Sequence, residues 1–459
     1  MSWKRKLILL VVITGLQLFL ATVTTAQPPL GDQVAVEFRD NQITLYTINA
    51  AGEKQIIQAA TNTLRSALYP QTNFSLLSRN KIRISPDGAI IAFVGVPVDD
   101  FDASLFLYFI ATDTLEQIKL PTAADIYWSP NSQYLVLGPA QNSFDRPILT
   151  DLYLYDLSAQ TLTPLTNTPE NEVETAIMWL PDSETILFAG SSEKCQQACT
   201  DYVRNLYSIT RNGGIPNKLT DLGTQLPTID GNLYQSCDIE TVAWSNLNNR
   251  IRYIVLCDEN YHLLFSTTLK GDNRLDINLP ALFPGELQLW VHDVFDDIPG
   301  NNLILITSGL KIDSSSGDNH TYVRILIWSP AVGNTSIIYS DELIDTYHLS
   351  SSDLSDDGNS LVIGLADLSL NTDGSLWVVD LDSGKRISEH NVDSSVCSVS
   401  WRQNKLVVFD QIALSFCSDI VDSLWLWDTQ TDTIESLDIK GVVFVYPTET
   451  TIKTEPAQP

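Results

Sequence analysis

Residues 128–138 read WSPNSQYLVLG, and this stretch decides the fold. Trp128 leads into Ser129-Pro130-Asn131-Ser132, and a run of β-formers, Tyr134–Leu137, follows. Proline pre-sets φ, and Asn and Ser tolerate the left-handed region, so these residues reverse the chain between two strands. The pattern returns along the chain. ISPDGAIIAFVG starts at Ile84, WLPDSETILFAG at Trp179 and LSDDGNSLVIG at Leu354. Weaker copies are WSNLNNRIRYIVL from Trp244, FDDIPGNNLILITS from Phe295 and WRQNKLVVF from Trp401.

A second hairpin follows each first one. These begin at Leu105, Leu152, Asn205, Leu263, Val323, Ser375 and Ser423, and one more, ITLYTINAAGEKQIIQ from Ile43, precedes them all. Four strands recurring about every 54 residues predict a β-propeller. The unmatched hairpin at Ile43 needs two inner strands. VAVEF, Val34–Phe38, supplies one, and GVVFVYP, Gly441–Pro447, supplies the other. The expectation is an all-β, eight-bladed propeller of four-stranded antiparallel blades, closed by pairing N- and C-terminal strands and leaving no free sheet edge. Seven blades is the alternative, and Ala59–Asn80 fits no repeat. Trp128, Trp179, Trp244 and Trp401 share one repeat position, which predicts core residues between blades.

The ends read differently. Lys4, Arg5 and Lys6 precede the apolar stretch Leu7–Leu20, and small or polar residues run from Ala21 to Ala26. This is the pattern of a signal peptide over 1–26, cleaved before Gln27. The apolar run is short of the ~20 residues of a spanning helix. The propeller is then expected over 27–448, with a flexible tail over 449–459, and no membrane insertion after cleavage. The predicted location is extracytoplasmic, secreted or periplasmic. Loss of the three cations takes the net charge from −29 to about −32, which repels nucleic acid and anionic membranes.

Six cysteines in an exported chain imply disulfides. Cys195 and Cys199 lie four apart and can close a small loop. Folding the hairpin about Ser245–Arg250 brings Cys237 opposite Cys257, which predicts that bridge. Cys397 and Cys417 are the remaining pair.

The segments ISPDGAIIAF, WSPNSQYLVL and WLPDSETILF, with LSDDGNSLVI beside them, resemble the WD40-like repeats of the TolB propeller. They are similar also to the propeller of the dipeptidyl peptidase IV family. The resemblance spans most of the chain and implies the fold, not a role. It departs from both families. No helical segment of the size of the TolB α/β domain precedes Val34, and no G-x-S-x-G nucleophile elbow occurs, so neither activity carries over.

Chemistry is sparsely written. The histidines are His262, His292, His320, His348 and His390, and none forms H-E-x-x-H or another close ligand pair. His292 stands beside Asp293 near the turn expected in the fifth blade, where a structural hydrogen bond is the expected role. No phosphate loop and no Cys-x-x-Cys occurs. DGSLWVVDLDSGKRIS, Asp373–Ser388, is similar to a quinoprotein dehydrogenase repeat but occurs once. Asp380, Asp382 and Gly384 miss EF-hand spacing and read as a tight turn. Asn73, Asn319 and Asn334 begin N-x-[ST] sequons. No catalytic residue, metal site or cofactor is expected.

What remains is a surface. Turns between first and second strands, and between third and fourth, share one edge and are short. The other edge carries long connections, VGVPVDDFDAS, GPAQNSFDRPILT, GSSEKCQQACTDYVR and SGLKIDSSSGDNHTY, where binding is usually built. Asp99, Asp100, Asp102, Asp145, Asp201, Asp313 and Asp318 lie among them and mark a candidate binding face. The sequence therefore points to an exported, non-enzymatic binding or scaffold protein that presents an acidic face to a protein or peptide of basic character, and not to nucleic acid. The alternative is an enzyme with a channel-mouth active site, a quinoprotein-like oxidoreductase or a hydrolase.

Overall fold

The computed structural model describes residues 33–39, 42–48, 53–57, 82–95, 103–121, 124–139, 151–167, 174–190, 204–222, 228–229, 232–233, 237–245, 249–258, 261–298, 302–312, 319–331, 333–343, 347–355, 357–367, 374–392, 395–402, 406–412, 423–439 and 442–445. The signal peptide, Ala59–Asn80 and the tail lie outside these residues.

Every expected hairpin is a strand pair. β1 (Gln33–Arg39), β2 (Gln42–Ile48) and β3 (Lys54–Ile56) form one antiparallel sheet. β4 (Ile82–Ile84), β5 (Ile90–Gly95), β6 (Ser104–Phe109) and β7 (Thr114–Lys119) form the next. Then come β8 (Ala124–Trp128), β9 (Tyr134–Pro139), β10 (Tyr153–Asp156) and β11 (Thr161–Pro164). They are followed by β12 (Thr175–Trp179), β13 (Thr185–Gly190), β14 (Asn205–Thr210) and β15 (Asn217–Lys218). A small hairpin, β16 (Thr228–Ile229) with β17 (Asn232–Leu233), stands alone.

An eight-stranded sheet divides into two meanders. The first is β18 (Cys237–Ser245), β19 (Arg250–Cys257), β20 (Tyr261–Thr267) and β21 (Arg274–Asn278). The second is β22 (Gln288–Ile298), β23 (Asn302–Ile312), β24 (Asn319–Ser329) and β25 (Asn334–Leu343). One parallel pairing, Tyr261 with Leu289, joins β20 to β22. Between the meanders sits a short helix, α1 (Leu279–Leu282), capped by Asn278, whose side chain accepts the Ala281 N–H. β26 (Tyr347–Leu354), β27 (Ser360–Asp367), β28 (Gly374–Asp380) and β29 (Lys385–Val392) form another sheet. So do β30 (Ser395–Arg402), β31 (Leu406–Ile412), β32 (Ser423–Asp428) and β33 (Thr433–Ser436). β34 (Val442–Val445) pairs antiparallel with β1, Val36 opposite Val443, and completes the first sheet. The architecture is all-β, built of four-stranded antiparallel sheets. No helix among the described residues is long and apolar enough to cross a membrane.

The core lies between sheets. Along β9, Leu135 and Leu137 pack with Leu105, Leu107, Ile126 and Trp128 on one side. Tyr134 and Val136 pack with Ile177, Trp179, Ile186 and Phe188 on the other. A strand buried on both faces needs an unbroken apolar run, and YLVL is one. Burial fades outward: β11, a fourth strand, is exposed or half-buried throughout. The repeated tryptophans fill the seams. Trp179 donates its indole N–H to the Tyr127 carbonyl at 3.0 Å and Trp128 to that of Arg83 at 3.3 Å, each crossing to the preceding sheet.

The turn Ser129–Ser132 is held by its own side chains. Ser129 Oγ accepts the Tyr134 N–H at 2.9 Å, and Asn131 Oδ1 takes the Ser129 hydroxyl and the Gln133 N–H. Ser85 with Asp87 and Ser355 with Asp357 repeat the arrangement. The fourth turn residue has positive φ: +71° at Gly88 and Gly358, +60° at Ser132 and +56° at Ser183. Glycine suits that conformation, whereas serine strains it. The two serines have a second task. Ser132 Oγ accepts the Asp87 N–H at 3.0 Å, and Ser183 Oγ accepts the Asn131 N–H at 3.1 Å, so each turn holds the one before it.

Ser132→Ala keeps the strained backbone and removes the acceptor that holds the Asp87 N–H across the seam. It is expected to cost about 1–2 kcal/mol, measured as a lower urea midpoint with an unchanged m-value.

Candidate functional site

The seven aspartates of the candidate face, Asp99, Asp100, Asp102, Asp145, Asp201, Asp313 and Asp318, lie outside the described residues, as do Cys195, Cys199 and Cys417. Cys397 stands in β30. The strands that carry the aspartate loops are described. β5, β9, β13 and β23 all end on the edge where the first strands begin, because each is the second strand of its antiparallel sheet. The candidate site is built from the described side chains on that edge.

Cys237 begins β18 and Cys257 ends β19 directly opposite, and the two are bonded at an S–S distance of 2.04 Å. Both are buried in the seam with β13 and β14. Just inside this bridge the pairing of β18 with β19 slips between Ile239 and Thr241, leaving Glu240 as an extra residue. The same irregularity recurs near the start of other first strands. β22 slips between Val291 and Asp293 at His292, and β26 between Leu349 and Ser351 at Ser350. β12 slips between Thr175 and Met178, and β30 between Val396 and Val399. A bulge bends its strand and re-aims a side chain. Here it singles out Glu240, His292 and Ser350 on three successive four-stranded meanders.

Their contacts are specific. Glu240 Oε2 lies 3.0 Å from His262 Nε2. The other ring nitrogen, Nδ1, accepts the Val291 N–H at 2.8 Å. Nδ1 also lies 3.2 Å from the Val291 carbonyl oxygen, so the ring is held between Glu240 and both main-chain groups of Val291. Both nitrogens of this imidazole, whose residue is 7% exposed, are committed. His292 Nε2 meets Ser308 Oγ at 2.7 Å, and its ring stands edge-on to Trp290 at 6.5 Å between centroids. Burial, with smaller effects of His262 and His348, pulls the His292 pKa down to about 3. A hydroxyl beside an imidazole is the geometry of nucleophilic catalysis, but a base this weak gives little drive for proton abstraction. Ser308 is itself buried.

Hydrogen bonds tie this edge across the seams. Ser352 donates to the Asp293 carboxylate and Ser350 to the Val396 carbonyl at 2.5 Å, while toward the tight-turn edge Asp353 accepts the Trp401 N–H at 2.7 Å. On the β14 side, Arg204 pairs with Asp238 at 3.0 Å, although burial still raises the Asp238 pKa. No group of three or more His, Cys, Asp or Glu among the described residues is arranged to hold a metal ion. Asp380 accepts the Ser383 N–H at 2.7 Å, which makes it the anchor of a turn.

The connector leading into β22 is clamped from behind. Glu286 and Arg324 form a two-pronged ion pair at 2.5 and 3.1 Å, both side chains 7% exposed, with the guanidinium 4.2 Å from the centre of the Phe283 ring. The pair lies on Gly309, where a Cβ would stand 1.8 Å from the Glu286 carboxylate.

The sequence drew attention to His292 but set it near a turn. It stands close to the start of β22, and its hydrogen bond is made to Ser308 on β23, not to its neighbour in sequence. Nothing in the sequence marked Glu240, His262 or Ser350, because bulges arise from register between strands.

The all-β architecture of four-stranded antiparallel sheets is that of a β-propeller, and it is similar to the structure of a dipeptidyl peptidase 4. The crystal structure of Porphyromonas gingivalis dipeptidyl peptidase 4 matches with a TM-score of 0.54 at 10% identity, covering 94% of this chain and 61% of that one. A prolyl endopeptidase matches with a TM-score of 0.48 at 13% identity, covering 89% and 56%. TolB from Acinetobacter baumannii matches with a TM-score of 0.35 at 14% identity, covering 80% and 64%. The chain thus spans less than two thirds of each of these proteins. No family model matches the sequence, and no curated protein sequence matches it.

Two variants check the site. Glu286→Gln strands the Arg324 charge in a buried position and is expected to cost about 3–5 kcal/mol, read as a large fall in thermal midpoint. Replacing Cys237 and Cys257 together by Ala releases a loop of 20 residues in sequence. That is expected to cost about 3 kcal/mol, measured by denaturant unfolding against the native protein under non-reducing conditions.

Proposed function

We propose that the chain is an exported, non-enzymatic binding protein, a closed ring of eight blades that presents its long-loop edge to a basic protein or peptide. The observation that carries this is the asymmetry of the two edges. One edge is made of tight turns held by their own side chains, as at Ser129–Tyr134. The other receives the connections that hold the seven aspartates. Long loops on a rigid frame are where recognition is usually built, and clustered negative charge steers a cationic partner toward it.

The ring closure is supported by the pairing of β34 with β1, by the contact of β34 with β4, and by Lys54, which donates to the Leu437 and Asp438 carbonyls across the adjoining seam. Export is supported by the leader-like 1–26 and by the Cys237–Cys257 bridge, since disulfides persist in oxidising compartments. The binding reading is favoured over a hydrolase at the inner edge by the committed nitrogens of His262 and the weak basicity of His292.

The test uses a fluorescent oligolysine peptide as the probe. The native protein is expected to bind it in a salt-dependent way, and the triple variant Asp99→Asn, Asp100→Asn, Asp102→Asn to bind at least several-fold more weakly with unchanged stability. Equal binding by the variant and native proteins would overturn the proposed acidic face.

A further inference from the structure

The hairpin between β14 and β15 turns through Arg211-Asn212-Gly213-Gly214, and Asn212-Gly213 is the one Asn-Gly pair in the sequence. Asn212 is exposed, and no hydrogen bond among the described residues holds its carboxamide. The space around the pair is open. A Cβ built on Gly213 meets only the Leu165 carbonyl oxygen, at 3.9 Å, and one built on Gly214 meets nothing within 4 Å. Both glycines have positive φ, +75° and +115°, and Ile215 beyond them is 96% exposed. The tip stands clear of the sheets.

The turns of the first hairpins are locked by comparison. Asn131 Oδ1 accepts the Ser129 hydroxyl and the Gln133 N–H. In the Asp-Gly pairs, Asp87 Oδ1 accepts the Ser85 hydroxyl and the Ala89 N–H, and Asp357 Oδ1 accepts the Ser355 hydroxyl and the Asn359 N–H. A side chain fixed in this way does not swing its carbonyl carbon onto the next main-chain nitrogen. That of Asn212 can.

We propose that Asn212 is a site of spontaneous modification, converted through a cyclic imide to aspartate and isoaspartate. The Gly213 nitrogen attacks Cγ of Asn212 and gives up its proton as the C–N bond forms. The side-chain nitrogen takes that proton and leaves as ammonia. Water then opens the ring at either carbonyl. One opening gives aspartate, and the other gives isoaspartate, in which the main chain runs through the side chain. Glycine suits the step because no Cβ shields its nitrogen and its backbone turns readily. The opposing contacts are the Gly213 N–H on the Thr210 carbonyl at 2.9 Å and the Thr210 hydroxyl on the Gly213 carbonyl at 3.1 Å. At an exposed tip water replaces both, which limits the retardation to about tenfold.

Either product places a new negative charge beside Arg211, whose guanidinium is 2.6 Å from Glu184 and lies over the Tyr134 ring at 4.5 Å. Isoaspartate also lengthens the main chain by one methylene, so Gly213 loses its register with Thr210. The change would record the age of the molecule on its tight-turn edge, opposite the edge that carries the aspartate loops.

The test holds the full chain at pH 7.5 for weeks, native and in urea. Proteolytic peptides are then mapped by mass spectrometry, with electron-transfer fragmentation to tell isoaspartate from aspartate. Native Asn212 is expected to convert within about tenfold of its rate in urea, with isoaspartate among the products, while Asn131 is protected far more strongly. Asn212→Gln leaves the backbone of the turn as it is and requires a larger ring, so it should abolish the conversion. Protection of native Asn212 as deep as that of Asn131, aspartate without isoaspartate, or conversion at an undiminished rate in Asn212→Gln would each overturn the proposal. If the variant does not fold, the native and urea rates decide alone. No partner is involved, so the outcome is independent of the binding reading.

Discussion

The constraint on which the rest depends is burial of the middle strands on both faces. In β9, neighbouring residues point into different seams, Leu135 toward β5 and β6, Val136 toward β12 and β13. No single sheet can satisfy such a strand. Burying one aliphatic side chain is worth roughly 1.5–3 kcal/mol, and half of those in β9 are buried only when the next sheet arrives. Stability is therefore a property of neighbours, and the seam is the unit of energy while the hairpin is the unit of sequence.

Polar groups then set the registration between sheets. Apolar faces slide over one another at little cost, but directional bonds do not. The tryptophan indoles reach back one sheet to a main-chain carbonyl. The turn serines reach back to a main-chain N–H on the opposite edge. Further round, Ser350 and Asp353 bond main-chain groups of the next sheet, and Ser352 the Asp293 carboxylate of the preceding one. Serine at positive φ in two turns is where local preference gives way to this registration, while the turns at Gly88 and Gly358 keep glycine.

The strand pattern was legible because its code is local. Turn chemistry and β-rich runs each lie within a dozen residues, so the hairpins, Val34–Phe38 and Gly441–Pro447 are all legible as strand segments, the last as β34 within its bounds. The Cys237–Cys257 pair was legible for the same reason: both lie on one hairpin, and its turn fixes which residues face each other. The inner edge was not legible. Glu240, His262 and His292 come from three strands of one sheet, and Glu240 and His292 stand where one-residue bulges shift the register. A bulge leaves no signature in composition or spacing. The acidic loops were legible as composition alone, which gives their charge and not their shape.

The pairing of β34 with β1 also has a meaning in time. During synthesis, β1 emerges among the first strands and the partner of its inner edge among the last. At about 5–20 residues per second, the gap is tens of seconds, through which a three-stranded sheet presents an unpaired edge to anything extended nearby. A chain threaded outward faces the same wait on the far side of the membrane. Quality of folding in this architecture thus depends on what shields the first sheet until the last strand arrives, and a chaperone that recognises bare strand edges is the natural custodian of that interval.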